Sequence, residues 1–209
     1  MNFSTELDIK RIQSLTDSIF AVAMAILILG ITIPATLSPD ATKDYLLHHT
    51  LKELFIYFVG FATLGIFWIG SHFQHHLLVQ TDALSSWFSI FFLMMICVIP
   101  FSVSFLNNYR HDPISVIFYC GNLIVANLCH FCLLVYAWKK RLIQPNITYI
   151  YYNEAKQRIL IPIYIYSGII IIAFFSVHVA MCLLLVPVVL YIIPVKSKRV
   201  NASQAPLKL

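Results

Sequence analysis

The sequence predicts an all-α integral membrane protein, a single domain over residues 1–209 built from six transmembrane helices. Three observations carry that prediction. Hydrophobic residues make up 60% of the chain and charged ones only 11%, which is too apolar for a disordered chain and too poor in polar side chains to coat a soluble domain. The apolar runs are long and unbroken rather than alternating at period two. They therefore read as helices, not as strands of a closed barrel, the other structure that satisfies every backbone amide inside hydrocarbon. Lysines and arginines, finally, sort to one side of the spans.

The first span, residues 16–33, opens behind Lys10 and Arg11 and stops before Pro34. Glu6 and Asp8 among its flanking charges, its full length and the lack of a small-residue cleavage site set it apart from a secretory signal, so it is expected to stay as a helix. Pro34, Ser38, Pro39 and Asp40 end it and begin an outer loop that runs to Lys52. Residues 54–77, 84–106 and 114–138 form the next three spans, each close to the 17–25 residues that cross a bilayer. After a basic inner linker from Lys139 to Arg158, whose Tyr149, Tyr151 and Tyr152 suit the headgroup zone, an apolar run extends from Ile159 to Pro194. That run is too long for one crossing. Breaking it near Phe175–His178 gives spans 159–176 and 177–193, with 195–209 as a cytoplasmic tail; one long tilted helix would instead make five spans. Pro100 and Pro187 fall inside spans as kinks, which neighbouring helices can accommodate.

With a cytoplasmic N-terminus, six spans place Lys10, Arg11, Lys139, Lys140, Arg141, Lys156, Arg158, Lys196, Lys198, Arg199 and Lys208 inside. Only Lys43, Lys52 and Arg110 remain outside. Five spans would strand Lys196, Lys198 and Arg199 on the outer side, so the charge pattern favours six and puts both termini in the cytoplasm. The net charge of +5 then reports topology and contact with anionic membrane lipid, not nucleic acid. The sequons at Asn146 and Asn201 lie on the cytoplasmic side and should be unused. All five cysteines lie within apolar spans as small packing residues. Cys129-His-Phe-Cys132 has metal or redox spacing but lacks a second pair, so neither a metal nor a cofactor is expected.

The chemistry concentrates at the inner end of the first two helices. Helix one runs outward and helix two returns, so Thr16, Asp17 and Ser18 share a depth with Trp68, Ser71, His72, His75 and His76. Trp68, His72 and His76 follow at intervals of four and share one helix face. A carboxylate, an indole N–H and an imidazole at one depth make a hydrogen-bonded network; for Asp17 with His72 a structural pair and a titrating site are the two readings. His75 and His76 read as residues of the interfacial belt. Beyond Asp17 the first helix holds no charge, so any conduction path along it must select through narrow apolar rings and hydroxyl or backbone groups. Val22, Ala25, Leu29 and Ile33 fall on one face, a pattern that also fits an ordinary packing stripe.

Arg11-x-x-x-Leu15-Thr16-Asp17-x-x-Phe20-Ala21 resembles the Arg-x-x-x-Phe-Ser-Asp-x-x-Phe-Ala signature that opens the first helix of the transmembrane protein 175 family, potassium-permeable channels with single-repeat relatives in bacteria and archaea. Trp68-x-x-Ser71-His72 is similar to the Trp-x-x-His-His element near the end of that family's second helix, with serine replacing the first histidine. The resemblance implies a homotetramer with a central pore lined by helix one and no re-entrant filter loop. The chain likewise lacks a Thr-Val-Gly-Tyr-Gly segment. It further implies potassium ions as the permeant species and residence in the bacterial inner membrane. By position from the aspartate, the inner apolar constriction falls on Val22, the next pore layer on Ala25 and the outer apolar layer on Leu29. Arg11, Thr16, Asp17, Trp68 and His72 become the signature network that clamps the pore helices. Many relatives carry threonine where Ala25 stands, and the missing hydroxyl implies weak selectivity. The function expected is thus passive cation conduction rather than enzymatic catalysis, for which no nucleophile, acid and metal constellation exists at one depth. A secondary transporter and an accessory membrane subunit are the alternatives; a transporter calls for a midplane acid or a broken-helix pair, and neither is visible.

Overall fold

The first helix owes its orientation to a single stripe. In the computed structural model, which describes residues 9–31 and 45–192, α1 spans Ile9–Leu27 and tightens into one 3₁₀ turn, Ile28–Gly30. Thr16, Phe20, Ala23 and Leu27, spaced at four, three and four, are its buried residues and seat it on its own bundle. The helix begins seven residues before the apolar span read from the sequence, because a polar first turn outside hydrocarbon costs nothing in helix geometry. Thr32, Ile33 and most of the outer loop lie outside the described residues. Where description resumes, the chain is already helical: a π-helical turn, Leu46–Thr50, runs straight into α2, Leu51–Leu77, so the loop ends before Lys52.

Asp82 starts α3, Ala83–Asn108, with a capping box: its carboxylate accepts from the Ser85 amide at 2.9 Å, while the Ser85 hydroxyl accepts from the Asp82 amide at 2.9 Å. A tight turn leads to α4, Pro113–Lys139, capped by Asp112 and opened by proline at its first position. Arg141 closes α4 in the left-handed region at φ 56°. The amide of Leu142 bonds the Ala137 carbonyl and that of Arg141 the Trp138 carbonyl, the two bonds of a Schellman motif. The chain then pairs with the α2–α3 turn through a Leu78–Ile143 bridge and the Gln144 side chain, which donates to the His76 carbonyl. The ends of α2 and α4 are thereby held at one level.

Helix α5, Tyr149–Ala173, starts ten residues before the span expected at 159, leaving only a short connection after α4. Trp138 stacks on Tyr152 at 4.4 Å and fixes that early start. The sixth span is the one that changes most. A turn at Phe174–Ser176 separates α5 from α6, Val177–Leu183, and a second break at Leu184 separates α6 from α7, Leu185–Ile192. Pro187 favours a break here, since it has no N–H to give the Leu183 carbonyl and its ring crowds that carbonyl, and the Leu184 amide closes the end of α6 on the Met181 carbonyl in a three-residue turn. Among the described residues, five helices are therefore long and apolar enough to cross a membrane, accompanied by a shorter apolar pair.

The layers follow from these contacts. Helices α3, α4 and α5 pack side by side, α1 and α2 lie against α3, and α6 and α7 lean on α5 and α2. Leu64, Ile96, Ile99, Val116, Cys120, Leu123 and Ala126 form the fully buried centre. Polar pairs run through it: Tyr119 donates to the Thr63 hydroxyl at 3.1 Å, Asn122 to the Met95 carbonyl at 3.2 Å, and Gln74 to the His130 carbonyl at 2.9 Å. Such bonds tie helices together in a solvent as apolar as the side chains themselves.

Candidate functional site

Locking one stripe of α1 into the bundle turns the opposite stripe outward. Leu15, Ser18, Val22, Ala25 and Leu29 are exposed on the isolated chain, Val22 by 58% and Leu29 by 75% of their surface. The hydroxyls nearby are turned into the helix: Ser18 donates to the Ser14 carbonyl and Thr16 to the Ile12 carbonyl, both at 2.8 Å. The outward face above Asp17 is thus apolar over about three turns. Two open cavities flank it. One of about 350 Å³ lies between Ile19, Val22 and Ile26 of α1 and Pro100 and Phe101 of α3; one of about 250 Å³ sits beside Leu29 and Gly30, with Glu53 and Asn107 in its wall. The Glu53 Oε2 and Asn107 Oδ1 atoms in that wall are buried without a hydrogen-bond partner among the described residues.

One bond anchors the helix at its other end. The Trp68 indole N–H donates to Asp17 Oδ1 at 2.8 Å, joining residues 51 positions apart. His72 lies 6.1 Å from the Trp68 ring, tilted against it, and 4.8 Å from that of His76, edge to face, so the shared face read from the sequence is a row of three rings in contact. Ser71, in the place of a family histidine, donates to the Trp68 carbonyl at 2.8 Å and does not reach across.

Of the five network residues, the structure brings together Asp17, Trp68 and His72. Thr16 is buried one residue away with its hydroxyl spent on its own helix. Arg11 is exposed, and no ion pair to it forms among the described residues. His75 departs from the interfacial-belt expectation: it is buried within the bundle. Its neighbour Gln74 leads to His130, which stacks on Phe92 at 3.8 Å; neither residue stood out in the sequence. A usable signal was present, since Ser115, Tyr119, Asn122 and His130 recur on a single face of an otherwise apolar α4. Among the described residues no three histidine, cysteine or acidic side chains are placed to hold a metal ion.

Residues 11–100, which contain all of these elements from Asp17 to His76, match the model of the family described as the endosomal/lysosomal potassium channel TMEM175. Over that segment the chain is similar to the TMEM175 family. A curated relative from Streptomyces collinus, named as a potassium channel, is 27% identical over 110 residues; the match covers 50% of this chain and about half, 51%, of that protein's length. A crystal structure described as a lysosomal potassium-selective channel TMEM175 homolog from Chamaesiphon minutus superposes with a TM-score of 0.76, covering 88% of this chain and 96% of the other at 19% identity. The fold is shared across nearly the whole TMEM175 homolog. The fold is that of a multi-pass helical membrane protein.

Proposed function

We propose that the chain forms a potassium-permeable cation channel in which four copies surround a central pore lined by α1. The single observation that carries this reading is the outward apolar stripe of Val22, Ala25 and Leu29 on a helix whose other face is locked into its own subunit. A lone chain leaves that stripe uncovered, and four copies meeting along it enclose a narrow apolar path without a re-entrant loop. Val22 and Leu29 then form two constrictions that conduct by wetting and close by dewetting, with Ala25 between them. The Asp17–Trp68 bond holds α1 at a fixed rotation relative to α2, with the His72 ring tilted beside the indole. Arg11 and Thr16 act at the same level, Arg11 toward the neighbouring copy. The description of the Streptomyces relative as a potassium channel supports potassium as the permeant ion. The charge distribution supports a multi-pass protein with both ends in the cytoplasm, and the Streptomyces relative supports a bacterial membrane as its place.

The test is potassium flux into liposomes that contain the purified protein, with sodium substitution and the Leu29→Ala and Val22→Ala variants in parallel. Fast downhill flux that rises in either variant is the expected result. Absence of flux from intact tetramers would sink the channel reading, and equal flux in all three proteins would sink the assignment of the pore layers. Ala25→Thr adds a hydroxyl to the layer between the constrictions and should raise the preference for potassium over sodium; an unchanged ratio places selection elsewhere.

A further inference from the structure

At the end of the bundle that carries the α3–α4 turn, an open cavity of about 610 Å³ lies between the start of α2, that turn and α6. Its wall holds Lys52, Arg110, His49, His111 and His178, the last two with ring centroids 5.4 Å apart, and no acidic side chain among the described residues lines it. The two nearest acids in sequence are engaged elsewhere: Asp112 caps α4 through the Ile114 amide at 2.9 Å, and Glu53 faces the separate cavity beside Leu29. Lys52 and Arg110 are also two of just three basic residues that the charge pattern leaves on this side, and they converge from positions far apart in the chain. The rest of the wall is apolar, with the exposed Leu51 beside Lys52, and Phe55 and Ile56 about one turn further into the bundle along α2.

We propose that this groove seats an anionic membrane phospholipid, its phosphate held by Lys52 and Arg110 and its glycerol and upper acyl carbons lying along Phe55. A guanidinium supplies a planar fork for two phosphate oxygens, an ammonium adds a point charge, and imidazoles add N–H donors whatever their charge. A freely soluble phosphate ion satisfies the charged rim but leaves the apolar wall in contact with nothing of its own kind. A phospholipid meets both, and a bilayer presents it at the depth of the helix ends. The site is independent of conduction, because none of these residues lies on the outward stripe of α1.

The experiment is native mass spectrometry of the purified full chain after exchange into detergent with equal phosphatidylglycerol and phosphatidylcholine, compared with Lys52→Gln/Arg110→Gln. A control double variant, Lys139→Gln/Lys156→Gln, removes two charges from the opposite end. Preferential retention of phosphatidylglycerol, reduced at least tenfold in the first variant and unchanged in the control, supports the site. Equal retention by all proteins, or equal retention of the two lipids by the unaltered chain, overturns it. Inorganic phosphate at millimolar concentration is added as a competitor; full displacement of the lipid would overturn the lipid assignment in favour of a soluble-anion site. Should the double variant fail to fold, Arg110→Lys, which keeps the charge and loses the fork, must retain less phosphatidylglycerol than the unaltered chain, and full retention refutes the proposal. Every readout is taken without ion flux, so an inactive channel does not obscure the result.

Discussion

Replacing Gly60 by alanine puts a methyl group 2.7 Å from Val103 Cγ2 and 3.3 Å from Val103 Cγ1, with Leu27 Cδ2 at 3.5 Å. Carbon atoms rest at about 3.5–4.0 Å, so the nearer contact is about 0.8 Å too short at best. Val103 has little room to yield: it is 6% exposed, and a valine in a helix has one strongly preferred rotamer. The added volume must therefore push α2 from α3, at a cost of about 1–3 kcal/mol for overpacking. Alanine in place of glycine in a helix returns about 1 kcal/mol, so the net loss in the native background is about 0–2 kcal/mol. The sign becomes clear in a double-mutant cycle. With Val103→Ala already present, the clash disappears and Gly60→Ala should stabilise by about 1 kcal/mol, which makes the coupling between the two sites about 1–3 kcal/mol. Thermal unfolding of the detergent-solubilised protein reads this as several degrees, at about 2–4 °C per kcal/mol for a chain of this size. Because Leu27 belongs to α1, Gly60→Ala should also change flux. Equal stabilisation by Gly60→Ala in both backgrounds would refute the close approach of the three helices.

Asp17→Ala and Trp68→Phe each break the bond that anchors α1, which for an exposed charge-assisted contact is worth about 1 kcal/mol, below the usual range for charged partners. Tetramer yield on size exclusion should fall while ion preference holds; normal tetramers with altered preference would reverse the roles assigned to Asp17 and the α1 stripe. Arg141→Gly should stabilise by about 0.5–1 kcal/mol, since the left-handed conformation costs an L side chain about 1–2 kcal/mol and glycine gives part of that back as chain entropy. A loss in denaturant midpoint would mean the arginine side chain stabilises the turn. Desolvation acts to raise the Asp82 carboxyl, but hydrogen bonds from Tyr136 and Ser85 outweigh it and hold the group below its ordinary value. Its contribution is present above about pH 4 and fades as pH falls through the folded value. The stability gap between the unaltered chain and Asp82→Asn should therefore narrow between pH 6 and pH 3, and a constant gap would disprove the linkage.

The long apolar helices and the level shared by Asp17 and Trp68 were legible because both follow from bilayer thickness and chain direction. Lipid reads length and polarity, and these are written directly in the residues. The early start of α5 was hidden because Glu154, Lys156 and Arg158 depress hydropathy without opposing a helix. The second break in the last span hid behind uniform apolarity; Pro187 was visible, but a kink and a full break look alike until the Leu183 carbonyl is placed. The burial of His75 depends on how far α2 is rotated against α4, and a helix apolar on nearly every side carries no periodic record of that rotation. The Schellman turn at Arg141 escaped for a simpler reason, the absence of the glycine that normally marks it.

The polar pairs inside the bundle, Tyr119 with Thr63, Asn122 with Met95 and Gln74 with His130, bear on how such a chain can change over time. Where the surrounding solvent is as oily as leucine, the remaining positions need only stay oily and of suitable bulk. Substitution there is nearly free, while a few directional bonds and close contacts keep the helices in register. A structure of this kind can drift to 19% identity and still superpose over 88% of its length, as it does with the Chamaesiphon channel. The addresses that hold the architecture are then few, and they are the places where an inherited disturbance would be felt first.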